Sequence, residues 1–229
     1  MSDPRLYVAL DLPTIKDAKS MVETLGETVS SYKIGLQLLP LGGADFGREL
    51  AAQGKNIFLD FKLHDIDITV EKAVRSIATI GADLLTVHAR PDVMRAAAKG
   101  AKNSDLKILG VTVLTSLDQA ALNDIGYNMT PEDLVMRRVA QAQEAGIDGV
   151  VASAMEAEKI RARVADDFLI VTPGIRMAGD DVGDQKRIAT PANALGDGAS
   201  HIVVGRPITQ AADPKAAALR VLENIANAN

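Results

Sequence analysis

Five ionisable side chains lie within nine consecutive positions of the stretch LDFKLHDID, residues 59–67. Removing an unpaired charge from water is costly, so this stretch is either a surface loop or a functional site. Because side chains alternate along a strand, Asp60 and Lys62 are predicted to point to the same face. A lysine held between carboxylates is expected to stay protonated and to act as an acid, not as a Schiff-base nucleophile.

Further charges are expected around this pair. Lys33 lies in the preceding apolar run, 31–36, and Asp65 follows three residues after Lys62. A salt bridge that only fills the interior of the protein remains possible, but it would not need two cations and several acids, so a catalytic cluster is favoured. His64 has the same strand parity as Asp60 and is predicted to support the cluster, whereas His88 is predicted to be a hydrogen-bonded neighbour.

A second group of residues suggests an anion site. Gly205 and Arg206 end the last apolar run, where glycine lets an anion approach the backbone and arginine can bind an oxyanion through two donors. Arg176 and Gln185 could close over the same anion. The long polar connection 177–188 is predicted to be a lid, with an ordinary surface loop as the alternative.

The elements that must position these residues are readable from apolar runs. Eight short runs rich in β-branched residues recur along the chain, at 6–12, 31–36, 56–63, 84–89, 107–114, 149–154, 169–175 and 201–206. Segments with helical periodicity separate them, as in 69–83, where Val70, Val74, Ile77 and Ile80 share one face. This order predicts an α/β fold, a single (β/α)8 TIM barrel domain over residues 1–229, with the site at the C-terminal ends of the strands.

Composition excludes several classes of function. The chain of 229 residues has a formal net charge of -5, which disfavours binding to nucleic acids and to anionic membranes. It contains no cysteine, so it has neither disulfides nor a thiolate nucleophile, and its three histidines form no metal-binding motif. No signal peptide, membrane span or metal site is predicted, and a cytoplasmic location is expected.

These motifs together resemble the bacterial orotidine 5'-monophosphate decarboxylase family. The resemblance extends over nearly the whole chain and depends on six segments: VALDLP, KIGLQL, LDFKLHDI followed by TV, VTVLTS, TPGIR with GDQKR, and VVGRPIT. It implies a cofactor-free enzyme that converts orotidine 5'-monophosphate to UMP and CO2 in pyrimidine biosynthesis. It also implies a homodimer with shared active sites.

The resemblance assigns a role to each site residue. Lys62 would protonate C6 of the pyrimidine within a charged array of Lys33, Asp60, Lys62 and a partner's Asp65. Asp11 and Lys33 would contact the ribose, and Thr115 the pyrimidine edge. The phosphate would be held by Arg176, Gln185, Gly205 and Arg206, whereas Ile66 and Thr69 would line the neighbouring subunit's site.

One segment departs from the family pattern, and two other functions stay open. Asp67 and Ile68 stand where the family usually has proline and asparagine, so a φ restraint is lost and a less rigid loop is expected. One alternative is a metal-dependent sugar-phosphate decarboxylase or aldolase of the same suprafamily, although such enzymes place an acid where this chain has Lys33. The other is a catalytically silent sensor of phosphate ligands.

Overall fold

Eight parallel strands form a closed barrel in which each strand pairs with its sequence neighbours and β1 pairs with β8. The computed structural model describes residues 2–177 and 189–227. The strands are β1 Leu6–Ala9, β2 Ser31–Gly35, β3 Asn56–Leu63, β4 Leu84–His88, β5 Lys107–Val111, β6 Gly149–Val151, β7 Leu169–Thr172 and β8 His201–Val204. The predicted (β/α)8 barrel is therefore confirmed.

Helices connect the strands around the barrel. They are α1 Ile15–Leu25, α2 Gly43–Ala52, α3 Asp67–Ile77, α4 Pro91–Ala101, α5 Gln119–Asp124, α6 Pro131–Ala145, α7 Ala154–Arg161, α8 Pro191–Gly196, α9 Arg206–Thr209 and α10 Pro214–Ala226. Side-chain caps start several of them: Thr14, Thr130 and Asp213 each accept a hydrogen bond from a backbone N–H in the first turn. No helix in the described ranges has both the length and the apolar character that a membrane span requires.

The apolar runs form strands because both of their faces are buried. Alternate residues such as Phe58 and Leu84 belong to a cluster inside the barrel, whereas their neighbours Leu59 and Leu85 pack in the larger cluster shared with the helices. Continuous apolar strands of this kind are typical of parallel sheets covered on both sides. The sequence therefore carries a strong signal for each strand.

The predicted strand starts agree with the structure, but several predicted ends are wrong. The runs 6–12, 107–114 and 169–175 leave the sheet at Ala9, Val111 and Thr172. Thr115 thus lies in the connection after β5 and not at a strand end, and the next part of that connection contains α5. The reason is that the apolar residues that follow the last backbone hydrogen bond of the sheet still line the mouth of the barrel. In the sequence they have the same apolar character as strand residues.

Candidate active site

Two lysines and two aspartates form a charged cluster at the C-terminal ends of β1, β2 and β3. Nζ of Lys33 lies 3.1 Å from Oδ1 of Asp11 and 3.4 Å from Oδ2 of Asp60. Nζ of Lys62 lies 2.7 Å from the same Oδ2 of Asp60. The prediction that Lys33, Asp60 and Lys62 meet in one place agrees with these distances, and Asp60 is the anion that both lysines share. Asp11, which was expected as a ribose contact, also pairs with Lys33.

Asp60 stays ionised in this cluster. Burial by itself raises the pKa of Asp60, but the charges of Lys33 and Lys62 and hydrogen bonds from Lys62 and Thr86 outweigh burial and hold the pKa below its ordinary value. Lys33 is itself buried, with 7% of its surface exposed. An anionic Asp60 between two ammonium groups makes a strong, directed local field, because these side chains are largely buried.

The backbone that delivers Lys62 is irregular. Lys62 has a φ of 47°, in the left-handed region that a lysine rarely adopts, and the pairing of β3 with β4 shifts register between Leu59 and Leu63. Asp60 and Lys62 do meet, but not through the regular alternation that we predicted. The buried Thr86 on β4 contacts both residues and was missed, because an isolated threonine inside an apolar run carries no signal of such a role.

The same irregularity explains the position of His64. We predicted that it supports the charged cluster because it has the parity of Asp60. Its ring instead lies 5.1 Å from the ring of His88, and its Nε2 lies 3.3 Å from Nη1 of Arg90. A residue in the left-handed region reverses the strand's alternation, so the parity argument does not extend beyond Lys62.

An apolar pocket opens on one side of the cluster. It is bounded by Lys62 and by side chains from five strands or the connections that follow them, namely Phe58, Val111, Val113, Leu114, Val151, Ala152, Pro173 and Val203. Thr115, which is buried, and Ser116 add two hydroxyl groups to this wall. A flat, largely apolar ring with polar edges fits such a pocket.

On its other side the cluster adjoins a polar pocket with two arginines. Its wall includes Asp11, Arg176, Gly205, Arg206, Thr209 and Gln210, and it shares Lys33 and Asp60 with the apolar pocket. We call the two pockets together the cleft, with an apolar end and an arginine end.

Gly205 leaves backbone accessible at the arginine end. A Cβ on Gly205 would lie 3.5 Å from Cβ of Ala9, an ordinary contact distance, so packing alone does not demand glycine there. Arg176 is buried and donates through Nη1 to the carbonyl of Ile175 at 2.8 Å. Gln185 and the predicted lid, apart from Met177, lie outside the described residues. Two guanidinium groups and an open backbone suit a phosphate-like anion.

The segment between β3 and α3 points away from the cleft. The carboxylate of Asp65 accepts a hydrogen bond from the backbone N–H of Ile66 at 2.7 Å, and Asp65 and Thr69 are exposed. Ile66 is 62% exposed and Ile68 48% exposed. Asp65, Ile66 and Thr69 are thus not brought to the cleft of their own chain.

Asp67 begins α3 in this segment. Its carboxylate accepts a hydrogen bond from the N–H of Ile68 at 2.7 Å, a local contact in the first turn of the helix. The helix thus begins at Asp67 without a proline at this position. Within residues 2–177 and 189–227, no three His, Asp or Glu side chains are grouped so that they could hold a metal ion.

Comparison with known proteins assigns the chain to a family. Residues 4–221 match the model of the orotidine 5'-phosphate decarboxylase / HUMPS family. The chain belongs to this family. Curated relatives named orotidine 5'-phosphate decarboxylase, from Caulobacter sp. (strain K31) and Caulobacter vibrioides (strain NA1000 / CB15N), are each 56% identical to it, and each alignment covers 98% of both chains.

Two solved structures share the barrel of this chain. The crystal structure of orotidine 5'-phosphate decarboxylase from Lactobacillus acidophilus aligns with a TM-score of 0.84 at 36% identity, covering 97% of this chain and 99% of that one. An uncharacterized conserved protein from Geobacillus kaustophilus aligns with a TM-score of 0.82 at 33% identity, covering 96% and 99%. The barrel is thus matched over nearly the whole length of the chain.

Proposed function

We propose that this chain decarboxylates orotidine 5'-monophosphate to UMP and CO2 without a cofactor, as one barrel domain spanning residues 1–229 in the cytoplasm. The observation that carries the proposal is the cleft, in which a compact cluster of two lysines and two aspartates separates an apolar end from an arginine end. A nucleotide has the matching division into base, sugar and phosphate. The names of the relatives that are 56% identical support the same substrate.

The substrate occupies the cleft along its length. The pyrimidine lies at the apolar end, with Thr115 at its edge and C6 toward Lys62. The ribose hydroxyls contact Asp11 and Lys33, whose side chains lie where the two ends of the cleft join. The phosphate is held at the arginine end by Arg176, Gly205 and Arg206, and Gln185 joins them from the predicted lid.

Loss of CO2 breaks the bond between C6 and the carboxylate carbon and leaves the electron pair on C6. This carbanion has no adjacent π system oriented to accept the pair, so electrostatic stabilisation must come from the protein. The ammonium group of Lys62, 2.7 Å from Asp60, offsets the developing charge and then delivers its proton to C6. Solvent restores the proton to Lys62 after UMP leaves.

The phosphate contributes although it is remote from C6. Contacts at the arginine end provide binding energy that holds the pyrimidine against Lys62 and closes the predicted lid over the cleft. A site closed in this way excludes water, so that the charges of the cluster act in a medium of low dielectric constant. The two ends of the cleft therefore serve one reaction.

A homodimer with shared sites completes the charged array. Asp65 lies outside the cleft of its own chain, and the neighbouring Ile66 and Ile68 expose large apolar side chains that a partner subunit would cover. In an isologous dimer each chain supplies the same segment to the other. Asp65, Ile66 and Thr69 thus reach the partner's site, where Asp65 stands beside Lys62.

Two other functions are less well supported. The family description also covers the HUMPS branch, but both relatives at 56% identity carry the decarboxylase name. A metal-dependent relative would need an acid on the second strand, where Lys33 instead pairs with Asp60. A silent sensor of phosphate ligands would not require the costly burial of this cluster.

The deciding experiment follows the absorbance of orotidine 5'-monophosphate after addition of the purified chain, with and without EDTA. Rapid loss of absorbance that EDTA does not change is expected, and Lys62→Ala should slow it by about a hundred- to ten-thousandfold, the usual contribution of a positioned proton donor. Arg48→Ala, a change on the exposed surface of α2, is the control. An inactive wild type, or a strict requirement for a divalent metal, contradicts the proposal.

A further inference from the structure

Thr86 on β4 joins the two functional residues of β3 through one hydroxyl group. Its Oγ1 donates to Oδ1 of Asp60 at 2.9 Å and accepts a hydrogen bond from the backbone N–H of Lys62 at 3.0 Å. Thr86 is fully buried, with 0% of its surface exposed, and it is not among the described residues that line the cleft. Its contacts therefore go to the catalytic cluster and not to the substrate.

A hydroxyl group can make both contacts through a single atom. A hydroxyl has one hydrogen to donate and two lone pairs to accept, whereas a carboxylate only accepts and a backbone N–H only donates. The hydrogen of Thr86 is directed to Asp60, which leaves a lone pair for Lys62. An aliphatic side chain of the same shape would leave the N–H of Lys62 and one oxygen of Asp60 without this partner.

The contact with Lys62 occurs where the sheet is interrupted. The pairing of β3 with β4 loses its register between Leu59 and Leu63, and Lys62 has a φ of 47°. A non-glycine residue in the left-handed region persists only where its surroundings enforce it. The hydroxyl of Thr86 accepts a hydrogen bond from the N–H of Lys62 at this interruption. It thereby stabilises the conformation that directs Lys62 into the cleft.

The contact with Asp60 orients its carboxylate. Thr86 holds Oδ1, so that Oδ2 faces both ammonium groups, at 2.7 Å from Lys62 and 3.4 Å from Lys33. A carboxylate held at only one oxygen could rotate and would direct its charge less sharply. Both members of the Asp60–Lys62 pair are therefore held by the same side chain.

We propose that Thr86 is a positioning residue, whose hydroxyl sets the carboxylate of Asp60 and the backbone of Lys62 in the geometry needed for proton delivery to C6. Its kinetic consequence rests on the proposed function, but its structural consequence does not. Thr86→Val keeps the shape and removes the hydroxyl, and Thr86→Ser keeps the hydroxyl and removes the methyl group. The pair of variants separates hydrogen bonding from packing.

Thr172 on β7 provides a matched control. It is also fully buried in a barrel strand, and its hydroxyl has no hydrogen-bond partner among the described residues. Thr172→Val therefore makes the same chemical change at a site whose hydroxyl has no hydrogen bond to the cluster. It is expected to leave both kcat and KM within about twofold of the wild type, since no partner loses a hydrogen bond.

The kinetic test compares kcat and KM for orotidine 5'-monophosphate. Thr86→Val should lower kcat about ten- to a hundredfold, the effect of losing hydrogen bonds at a charged group, and change KM by less than about threefold because the phosphate contacts persist. Thr86→Ser should stay within about threefold of the wild type. Wild-type kcat in Thr86→Val, or an equal loss in Thr86→Ser, overturns the proposal.

A crystal structure of Thr86→Val supplies a readout that needs no activity. A rotated Asp60 carboxylate or a displaced Lys62 backbone is expected in Thr86→Val and not in Thr86→Ser, and an unchanged cluster overturns the proposal. An inactive wild type contradicts the proposed function alone, since the crystallographic comparison still decides the role of Thr86. If Thr86→Val does not fold, Thr86→Ala replaces it in both measurements, with about a tenfold lower kcat than Thr86→Ser expected.

Discussion

Gly35 at the end of β2 lies directly against the carboxylate of Asp11. A Cβ built on Gly35 would come within 2.6 Å of Oδ1 of Asp11 and within 2.9 Å of Nζ of Lys33. Both atoms are the far ends of flexible side chains, so an added methyl group would displace them without forcing the backbone apart. The missing side chain of Gly35 thus makes room for the Asp11–Lys33 ion pair.

Gly35→Ala is therefore expected to impair catalysis more than folding. Displacement of Asp11 and Lys33 disturbs a charge-assisted contact worth about 1.5–3 kcal/mol, which corresponds to a fall in kcat/KM of about ten- to a hundredfold. Steady-state kinetics and thermal unfolding of the same samples check this. Gly196→Ala is the control, because a Cβ there meets nothing within 4 Å. Wild-type kinetics in Gly35→Ala would show that the ion pair tolerates the methyl group.

Mixed dimers test whether Asp65 serves the partner's site. Lys62→Ala and Asp65→Ala homodimers should both be nearly inactive, whereas a mixed dimer has both lesions in one site and leaves the other intact. After random subunit exchange in equal amounts, about half of the dimers are mixed, so activity should recover to about a quarter of the wild type, by the symmetry of the interface. Co-expression with two affinity tags isolates the mixed species. Mixed dimers as inactive as their parents would place Asp65 in the site of its own chain.

Arg206→Ala tests the arginine end of the cleft. Loss of a charge-assisted contact with phosphate should lower kcat/KM by at least about tenfold, since such contacts are worth about 1.5–3 kcal/mol. Because Arg206 is exposed at the start of α9, the melting temperature should change little. Turnover of a substrate without the phosphate group should be equally slow in wild type and variant. A variant that processes the full nucleotide like the wild type would mean that the phosphate binds elsewhere.

His201 at the start of β8 should make stability depend on pH. Burial lowers the pKa of His201 below its ordinary value of 6.5, although the charge of Asp3 acts in the opposite direction. The folded protein thus binds fewer protons than the unfolded chain, so the free energy of unfolding should fall as pH decreases below about 6.5. Stabilisation is complete above that pH.

Urea unfolding of the wild type and His201→Gln between about pH 5 and pH 7.5 measures this dependence. The variant should show a weaker decrease in stability toward low pH. Some decrease should remain, because burial also lowers the pKa of His88. An unchanged pH dependence in His201→Gln would assign the effect to other groups.

The sequence by itself determined the eight strands and the chemical groups that follow them. Every predicted strand begins at the residue where the structure begins it, because an apolar, β-branched run buried on both faces is a local signal. The grouping of Asp60 and Lys62 with Lys33 could also be predicted, since parallel strands bring their C-terminal ends together. The order of elements is enough to bring these residues to one face.

Only the tertiary structure decided how the lysine of β3 is directed. The left-handed backbone of Lys62 depends on a hydrogen bond to Thr86, which lies 24 residues further along the chain and on a different strand. Strand parity therefore predicted the wrong position for His64. The ends of β1, β5 and β7 were also predicted too far along the chain. Hydrophobic periodicity indicates which faces of a strand are buried. It does not indicate where the pairing of β3 with β4 is interrupted, because that interruption is stabilised by a side chain from the neighbouring strand.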